Sequence, residues 1–218
     1  MQSLKLLIIG YVWPEPKSSA AGTHMMQLIE FFQSEDYQII FASPAQQGEN
    51  RALLTSIGIQ EKNIALNCSS FDQWIQEIKP DIVLFDRFMM EEQFGWRVAQ
   101  YCPQAIRILE TSDLHCLREA RKQLLKQNPN TVVEVSESEL YTIMASLEIT
   151  QREIASIFRC DASLFVSDFE INFLHTLFKI PLDLMWYCPF MMDIPNKSSF
   201  PDFDQRKNFI TIGNFLHA

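Results

Sequence analysis

The amino-acid sequence predicts an α/β protein with a largely parallel sheet and helices on both faces. Short apolar runs alternate along the chain with amphipathic stretches, which is the order expected of successive β-α-β units. Each run is apolar almost throughout, as in Leu4–Ile9, where only Lys5 is charged; this is typical of strands buried on both faces. The chain has 218 residues, 47% of them hydrophobic, which is enough for one sizeable core.

The first half of the chain contains three such apolar runs, with helical patterns between and after them. Met25, Leu28 and Phe32 recur at helical spacing, and Lys79-Pro80 ends a later helix because proline cannot continue one. The predicted strands are 4–9, 37–42 and 81–85, and the predicted helices are 23–34, 50–58, 70–78 and 91–101.

The second half continues the same alternation. The predicted strands are 106–109, 162–166 and 184–187, the predicted helices are 115–127, 150–158 and 167–177, and 128–139 is a predicted polar loop. Three helix starts are placed by capping boxes, in which a hydroxyl residue and a Glu or Gln three positions later satisfy each other's backbone amides. The three pairs are Ser70 with Gln73, Thr150 with Glu153, and Ser167 with Glu170.

Residues 191–207 interrupt the alternation and predict a linker, since they combine prolines and a polar cluster without periodicity. A strand pattern and a turn follow at 208–213. A lone strand does not fold by itself, so we expect a first domain at 1–190 and the start of a second, truncated domain at 208–218. Alternatively, 209–212 adds to the edge of the first sheet.

The charge of the chain bears on its partners. A formal net charge of −9 disfavours nucleic acid, because binding phosphates requires a cationic surface. The predicted helix 115–127 is an exception, with basic residues beside a leucine stripe. Such a helix can lie on a membrane, although a solvated face over a core stripe is the commoner explanation. The basic residues are Arg118, Arg121, Lys122 and Lys126.

The cysteines and the N-terminus bear on the compartment. The five cysteines contain no C-x-x-C pair, so we expect neither a disulfide framework nor a thiolate zinc site. Isolated cysteines of this kind usually fill small spaces in the core and fit a reducing compartment. The first ten residues lack a basic leader and a cleavage site, and no apolar run is long enough to span a bilayer. We therefore expect a cytoplasmic protein.

The loop after the first strand contains the first candidate site residues, because ligands of open parallel sheets bind beyond the carboxyl ends of the strands. Small residues lead there into a helix start, which makes Ala21, Gly22 and Thr23 candidate phosphate contacts. Glu15 and His24 flank this turn and are candidates for the same cleft. The alternative is an ordinary loop with a serine cap.

Two later loops contain the other candidates. Asp86 and Arg87 follow the strand at 81–85 and either face the cleft or form a surface ion pair. Asp113 and His115 follow the strand at 106–109. An aspartate and a histidine two residues apart can act as orienter and base, or bind a sugar hydroxyl, although a lone histidine is more often structural.

These segments together resemble glycosyltransferase family 4, the group 1 transferases with the GT-B architecture. The Pro-rich loop Trp13–Gly22 is similar to that family's loop after strand one, and Glu110–Arg118 is similar to its central loop. Residues 152–157 with 167–170 look like the end of its N-terminal domain, and Asn208–Phe215 looks like the start of its C-terminal domain. The likeness spans nearly the whole chain and rests on the order and spacing of these pieces.

The resemblance implies a fold, an activity and a division of labour. Such enzymes have two Rossmann-like domains that face each other across a cleft. They transfer a sugar with retention of configuration from a nucleoside-diphosphate donor to a sugar, lipid or protein acceptor, usually without a metal; no cofactor is implied. Residues 1–190 would then be the acceptor-side domain, and 208–218 the beginning of the donor-binding domain.

The resemblance also assigns roles to the candidate residues. The implied donor-phosphate contacts are Ala21, Gly22, Thr23 and Gly213, the acceptor-side residues are Glu15, His24, Asp86 and Arg87, and the residues near the transferred sugar are Asp113 and His115. The family often has two adjacent glycines in the first loop. Here Ala21-Gly22 stands instead, and one fewer glycine restricts the backbone.

Two other functions stay open at this point. The chain is a different enzyme of the same GT-B shape, such as a nucleotide-sugar epimerase, which needs no acceptor, or it is a stand-alone binding module without catalysis. In a two-domain transferase, half of the cleft would be missing from these 218 residues. We therefore expect the chain alone to show no sugar transfer.

Overall fold

A computed structural model describes residues 3–127, 136–192 and 201–210 of the chain. Its strands are β1 (Lys5–Ile9), β2 (Gln38–Ser43), β3 (Gln60–Asn63), β4 (Ile82–Asp86), β5 (Ile106–Glu110), β6 (Ala162–Phe165) and β7 (Met185–Tyr187). They form one sheet in the order β3-β2-β1-β4-β5-β6-β7, in which every neighbouring pair is parallel.

Helices cover both faces of the sheet. They are α1 (Ala20–Ser34), α2 (Ser70–Ile78), α3 (Phe88–Tyr101), α4 (His115–Gln127), α5 (Glu137–Ser146), α6 (Glu148–Arg159) and α7 (Asp168–Phe178). Along β1, Leu6 and Ile8 belong to the apolar cluster under α1, whereas Leu7 and Ile9 belong to the cluster under α2 and α3. This alternation places a helix layer on each face and confirms the predicted α/β, Rossmann-like fold class.

The sheet has a switch point between β1 and β4. The chain runs from β1 outwards through β2 to β3, and then returns to β4 on the other side of β1. The connections after β1 and β4 therefore leave in opposite directions, which opens a crevice beyond the carboxyl ends of these two strands. In sheets of this kind the crevice is the usual ligand site, and the loops after β1, β4 and β5 surround it.

Several element boundaries differ from the sequence prediction for local physical reasons. Helix α1 begins at Ala20, three residues before the predicted start, because the Ser19 hydroxyl accepts the Gly22 N–H at 3.0 Å and caps the helix there. The predicted helix at 50–58 is only one 3₁₀ turn, Leu54–Ile57. Strand β3 was not predicted, because its Gln-Glu-Lys-Asn sequence at the sheet edge is entirely polar.

Two of the three predicted capping boxes are wrong. Helix α2 follows Ser69, which makes no side-chain cap, and Ser70 is already helical. Helix α6 begins at Glu148, so Thr150 and Glu153 lie inside it, where both are buried. The third start is confirmed for Ser167, whose hydroxyl accepts the Glu170 N–H at 3.4 Å.

The predicted loop at 128–139 is wrong from residue 136 onwards. Ser136 and Glu139 form a true capping box at the start of α5, and residues 128–135 lie outside the described residues.

Towards the end of the chain, Phe209 and Ile210 are exposed and belong to no strand. The rest of the predicted strand and turn, including Gly213, lies outside the described residues. None of the described helices is both long and apolar enough to cross a membrane.

Candidate functional site

Two buried carboxylates mark the carboxyl edge of the sheet at the crevice. Asp86 ends β4 and Glu110 ends β5, and the two residues are partners in the strand register. Their exposed fractions are 6% and 2%. A buried carboxylate costs free energy unless it is hydrogen-bonded or paired, so the partners of these two groups define the site.

Asp86 holds the start of the first loop. It accepts the Tyr11 N–H at 3.0 Å and the backbone N–H of Val12. Burial raises the pKa of Asp86 to about 6, and the guanidinium of the adjacent Arg87, with Nε 3.6 Å from Oδ1, opposes that shift. A carboxyl group whose pKa is raised by burial at the edge of a crevice is a candidate site residue.

Arg87 has a strained backbone at the same edge. Its φ of 73° and ψ of 156° lie in a region that is otherwise used almost only by glycine and that costs about 1–3 kcal/mol. Its N–H donates to the Glu110 carbonyl at 2.7 Å, which holds the strained turn. The guanidinium lies over the Tyr11 ring, 5.1 Å from its centre. Arg87 is thus held at the crevice at an energetic cost.

Glu110 pairs with His24 from α1. The His24 Nδ1 lies 3.3 Å from Glu110 Oε1, and Glu110 also accepts the Ser112 N–H at 2.9 Å and the Ser112 hydroxyl at 2.8 Å. Burial alone would lower the pKa of His24, but the Cys188 side chain and the Glu110 carboxylate raise it to about 9. With 2% exposure, His24 lies beneath the cleft, not on its surface as the sequence suggested.

The predicted Asp113 and His115 pair is brought together. His115 Nε2 lies 3.6 Å from Asp113 Oδ1, and Arg118 approaches the other carboxylate oxygen at 3.3 Å. The His115 ring packs edge-on against Phe88, with 5.5 Å between centres. Burial, against the opposing charge of Asp113, lowers the pKa of His115 to about 4. The imidazole is therefore neutral at pH 7 and can accept or donate a hydrogen bond.

Two carboxylates from distant helices fix the start of α4 next to this pair. Glu153 accepts the N–H groups of His115 and Cys116 at 3.0 and 2.9 Å, and Glu170 accepts the Leu114 N–H at 3.2 Å. These are the two acidic residues of the predicted capping boxes at 150–153 and 167–170. Each side chain caps α4 instead of its own helix, so these α4 amides are not available to an anion.

The residues of the first loop come together, but their side chains mainly hold the loop. A Cβ on Gly22 would lie 2.5 Å from the Glu15 carbonyl oxygen, so the loop already occupies the space that the glycine leaves. The Thr23 hydroxyl donates to the Pro16 carbonyl at 3.0 Å, and Glu15 accepts the Ser18 hydroxyl at 2.7 Å.

A small pocket lies between this loop and β4. It is lined by Glu15, Ala21, Gly22, Asp86 and Arg87, among others, and has a volume of about 20 Å³. A water molecule needs about 10–15 Å³, so this pocket alone holds a water and not a nucleotide sugar.

Among the described residues, no cluster of three or more His, Cys, Asp or Glu side chains is arranged to hold a metal ion.

Sequence reasoning missed two residues that build the site. Glu110 lies at the last position of β5, as Asp86 does on β4. This position at the end of a strand is the sequence feature that could have identified Glu110 as a site residue. Trp13 anchors the first loop: it is 2% exposed, and its Nε1–H donates to the Ala45 carbonyl at 2.9 Å. A tryptophan in a Pro-rich loop can also be an ordinary core residue, so the sequence alone did not identify Trp13 as the anchor of this loop.

Comparison with known proteins adds a fold relationship. The structure is similar to that of a lipopolysaccharide outer core galactosyltransferase, WaaB, in its apo form, with a TM-score of 0.53 and 12% sequence identity over 91% of this chain and 50% of the other. The chain thus spans about half the length of this solved structure. At this identity the similarity establishes the fold alone: a Rossmann-like α/β unit like half of a galactosyltransferase.

Two further solved structures are similar at lower scores. One is a putative UDP-N-acetylglucosamine 2-epimerase from Listeria monocytogenes, with a TM-score of 0.46 and 12% identity over 85% of this chain and 45% of the other. The second is the epimerase Mth375 from Methanothermobacter thermautotrophicus, with a TM-score of 0.37 and 11% identity over 86% of this chain and 51% of the other. No protein-family model and no curated protein sequence matches the chain.

Proposed function

We propose that this chain is the acceptor-side half of a retaining glycosyltransferase of GT-B architecture that uses a nucleoside-diphosphate sugar. The observation that carries the proposal is the convergence of Arg87, Asp113 and His115 at the switch-point crevice. Arg87 has a strained backbone, and its charge helps to lower the pKa of His115. The fold shared with half of a galactosyltransferase supports the same reading.

Each group has a chemical task in this proposal. The guanidinium of Arg87, partly desolvated and stacked on Tyr11, stabilises the negative charge of the leaving diphosphate. The start of α1 adds the positive end of a helix dipole. Because the Gly22 N–H is taken by the Ser19 hydroxyl, we assign the phosphate contact there to the amide of Ala21.

Asp113 and His115 orient hydroxyl groups of the transferred sugar. A neutral imidazole next to a carboxylate offers both an acceptor and an orienting charge. Because the His115 pKa is low, this hydrogen-bonding state persists across the neutral range. Asp86 contributes by fixing the Tyr11 loop, and Glu110 by fixing Ser112 and His24 beneath the cleft.

The remaining half of the cleft is assigned to a second domain, which we propose begins near 208 and includes Gly213. The 218 residues alone would then bind the acceptor and fail to transfer sugar. The basic face of α4 is a proposed contact for a lipid acceptor at a membrane surface. Its charges are partly engaged, since Arg118 meets Asp113 and Arg121 lies over Phe169.

The test compares the 218-residue chain with the longest natural polypeptide that contains it, whose mass is first measured in its own cells. Both are incubated with UDP-, GDP- and ADP-sugars and a panel of sugar and lipid acceptors. We expect the longer polypeptide alone to release nucleoside diphosphate and to form a product that keeps the donor's anomeric configuration. Transfer by the short chain would contradict the two-domain reading. Turnover of the donor without an acceptor would indicate an epimerase, and no turnover at all would favour a binding module.

A further inference from the structure

A buried phenylalanine at the crevice lies outside both apolar cores. Phe88 begins α3, directly after the strained Arg87, and is 3% exposed. It belongs to neither of the two apolar clusters that the described residues form around the sheet. The burial of Phe88 therefore depends on neighbours other than the two cores, and the contacts of its ring identify them.

The ring of Phe88 contacts a polar side chain from each of two other helices. The His115 ring at the start of α4 meets it edge-on, with 5.5 Å between centres and 85° between planes. The guanidinium of Arg152 from α6 lies over the same ring, with Cζ 5.3 Å from its centre. Both are favourable geometries for an aromatic ring, and Phe88 thus links His115 to α6.

Arg152 is itself held in place by a carboxylate of α3. Its Nε and Nη2 donate to the two carboxylate oxygens of Glu92 at 3.0 and 2.7 Å. A two-point pair of this kind fixes the plane of the guanidinium, which the ammonium of a lysine could not do. The Arg152 side chain is 45% exposed, and an ion pair this exposed contributes little stability by itself. Its consequence here is a guanidinium fixed over Phe88.

The next residue of α6 holds the backbone of the same histidine. Glu153 accepts the His115 N–H at 3.0 Å. Because Arg152 and Glu153 are consecutive, α6 restrains the His115 backbone directly and the His115 ring through Phe88. Residues 152–157 resemble a segment of the transferase family but have no part in the proposed site, and these two contacts give the start of that segment a role.

An imidazole that orients a sugar hydroxyl has to keep its position and its plane, because small misplacements of a reacting group slow a reaction strongly. The His115 Nε2 lies 3.6 Å from Asp113 Oδ1, which is too long for a hydrogen bond that would fix the ring. Packing against Phe88 supplies this restraint. Burial, to which Phe88 contributes, is also the main cause of the low pKa of His115.

We propose that Phe88 is a positioning residue for His115, and that Arg152, paired with Glu92, holds Phe88 in that position. The positioning role rests on the proposed function, since His115 has a chemical task only there. The packing itself is a property of the 218-residue chain and is measured without a substrate.

The first measurement is the rate at which diethyl pyrocarbonate acylates each histidine of the chain at pH 7, followed by mass spectrometry. Phe88→Leu is compared with Phe94→Leu, the same substitution on the same helix at a ring that packs against Phe71 with 4.6 Å between centres. We expect His115 to react about fivefold faster in Phe88→Leu, because the smaller side chain leaves space beside the imidazole. Phe94→Leu should leave the His115 rate unchanged, and His175 should react equally in all three proteins.

An unchanged His115 rate in Phe88→Leu would overturn the proposal, whether or not the natural polypeptide transfers sugar. The second measurement uses that polypeptide. In Phe88→Leu the kcat of sugar transfer should fall about tenfold while the KM for the donor stays within about twofold, because orientation is lost and binding is not. Phe94→Leu should keep a near wild-type kcat. An unchanged kcat in Phe88→Leu would also overturn the proposal, whereas a wild-type polypeptide without transfer would count against the proposed function and leave the acylation rates to decide the role of Phe88.

Substitutions of the half-exposed Arg152 keep the test decisive if Phe88→Leu does not fold. Arg152→Gln should accelerate acylation of His115 about twofold, and Arg152→Lys should do the same, because lysine cannot hold a plane over the ring. The control is Arg107→Gln, since the Arg107 guanidinium lies 3.6 Å from Asp161 at the opposite end of the sheet. Equal His115 rates in Arg152→Gln and Arg107→Gln would overturn the proposal.

Discussion

At the scale of single residues, Gly22 shows how a glycine can serve packing instead of ligand approach. Its missing side chain leaves space that the Glu15 backbone fills, and a Cβ there would meet three backbone atoms within 2.7 Å. The resemblance assigned this glycine to a diphosphate. The structure gives it a second task, which is to let the first loop lie against the start of α1.

Gly22→Ala should therefore destabilise the fold by about 1–3 kcal/mol, because backbone atoms cannot move aside as a flexible side chain can. The measurement is the free energy of unfolding in urea. Gly48→Ala is the matched control: its Cβ would meet only the flexible carboxylate end of Glu15, at 2.8 Å, and should cost little. Equal losses in the two variants would show that the loop does not pack as described.

The buried pair of His24 and Glu110 should make stability depend on pH. The Cys188 side chain and Glu110 together raise the folded pKa of His24 to about 9, above its ordinary value of 6.5, so these interactions stabilise the fold fully below pH 6.5. That contribution is lost as the pH rises to about 9. Over this window we expect the unfolding free energy to fall by about 1–3 kcal/mol, since one pKa unit is worth ~1.4 kcal/mol.

Urea denaturation between pH 6 and 10 checks this expectation. In His24→Gln the slope with pH should be much smaller, because glutamine has no proton to lose, although the variant is less stable throughout. A wild-type slope that survives in His24→Gln would assign the pH dependence to other groups.

The sequence predicted which polar residues follow the strand ends, but not the contacts that hold them there. Asp86, Asp113 and His115 could be named because parallel sheets place ligands beyond the strand ends. The role of Glu110 depends on a contact with α1 over 80 positions away in the chain, and no local pattern encodes that. The strain at Arg87 depends on its hydrogen bond to the Glu110 carbonyl and was equally hidden.

At the scale of elements, the start of α4 is the clearest case of tertiary contacts overriding local signals. Thr150-x-x-Glu153 has the sequence of a capping box, yet Glu153 lies within α6 and caps α4 through two amides. A capping-box pattern reports only that a carboxylate is three residues from a hydroxyl. Which helix end it serves is decided by packing.

Glu153→Gln should cost about 1–3 kcal/mol of unfolding free energy, because a charge-assisted acceptor of two buried amides is replaced by a neutral group with one acceptor oxygen. Hydrogen exchange at His115 and Cys116 should accelerate in the variant. The control is Glu139→Gln in the exposed capping box of α5, where glutamine is an accepted substitute and the loss should be small. Unchanged exchange at both α4 amides would contradict the assigned cap.

Most elements with an apolar period were predicted, and the edge strand without one was not. The strands at the middle of the sheet were found because both of their faces are buried, which leaves a nearly continuous apolar run. The polar edge strand β3 lacks that signal. Helix α5 carries Leu140, Ile143 and Met144 at helical spacing and was missed nonetheless. Both are held by neighbours that only the folded chain supplies.

At the scale of the whole molecule, fold class followed from the sequence and function did not. The alternation of strands and helices determines a parallel sheet with two helix layers, and the structure has both. The same scaffold serves many chemistries, so the proposed function is argued from Arg87, Asp113 and His115 at the switch point. The solved galactosyltransferase is about twice as long as this chain, and the proposed second half of the cleft is outside the described residues.

The central claim, that this crevice is a sugar-transfer site, is tested most directly by His115→Gln in the natural polypeptide that contains the chain. The rate of sugar transfer to the acceptor is measured beside His175→Gln, which alters a histidine bonded to the Ile180 carbonyl, far from the crevice. The account predicts a loss of about 10²-fold in kcat for His115→Gln, with an unchanged melting temperature and a near wild-type rate for His175→Gln. Transfer by His115→Gln at the wild-type rate would contradict it.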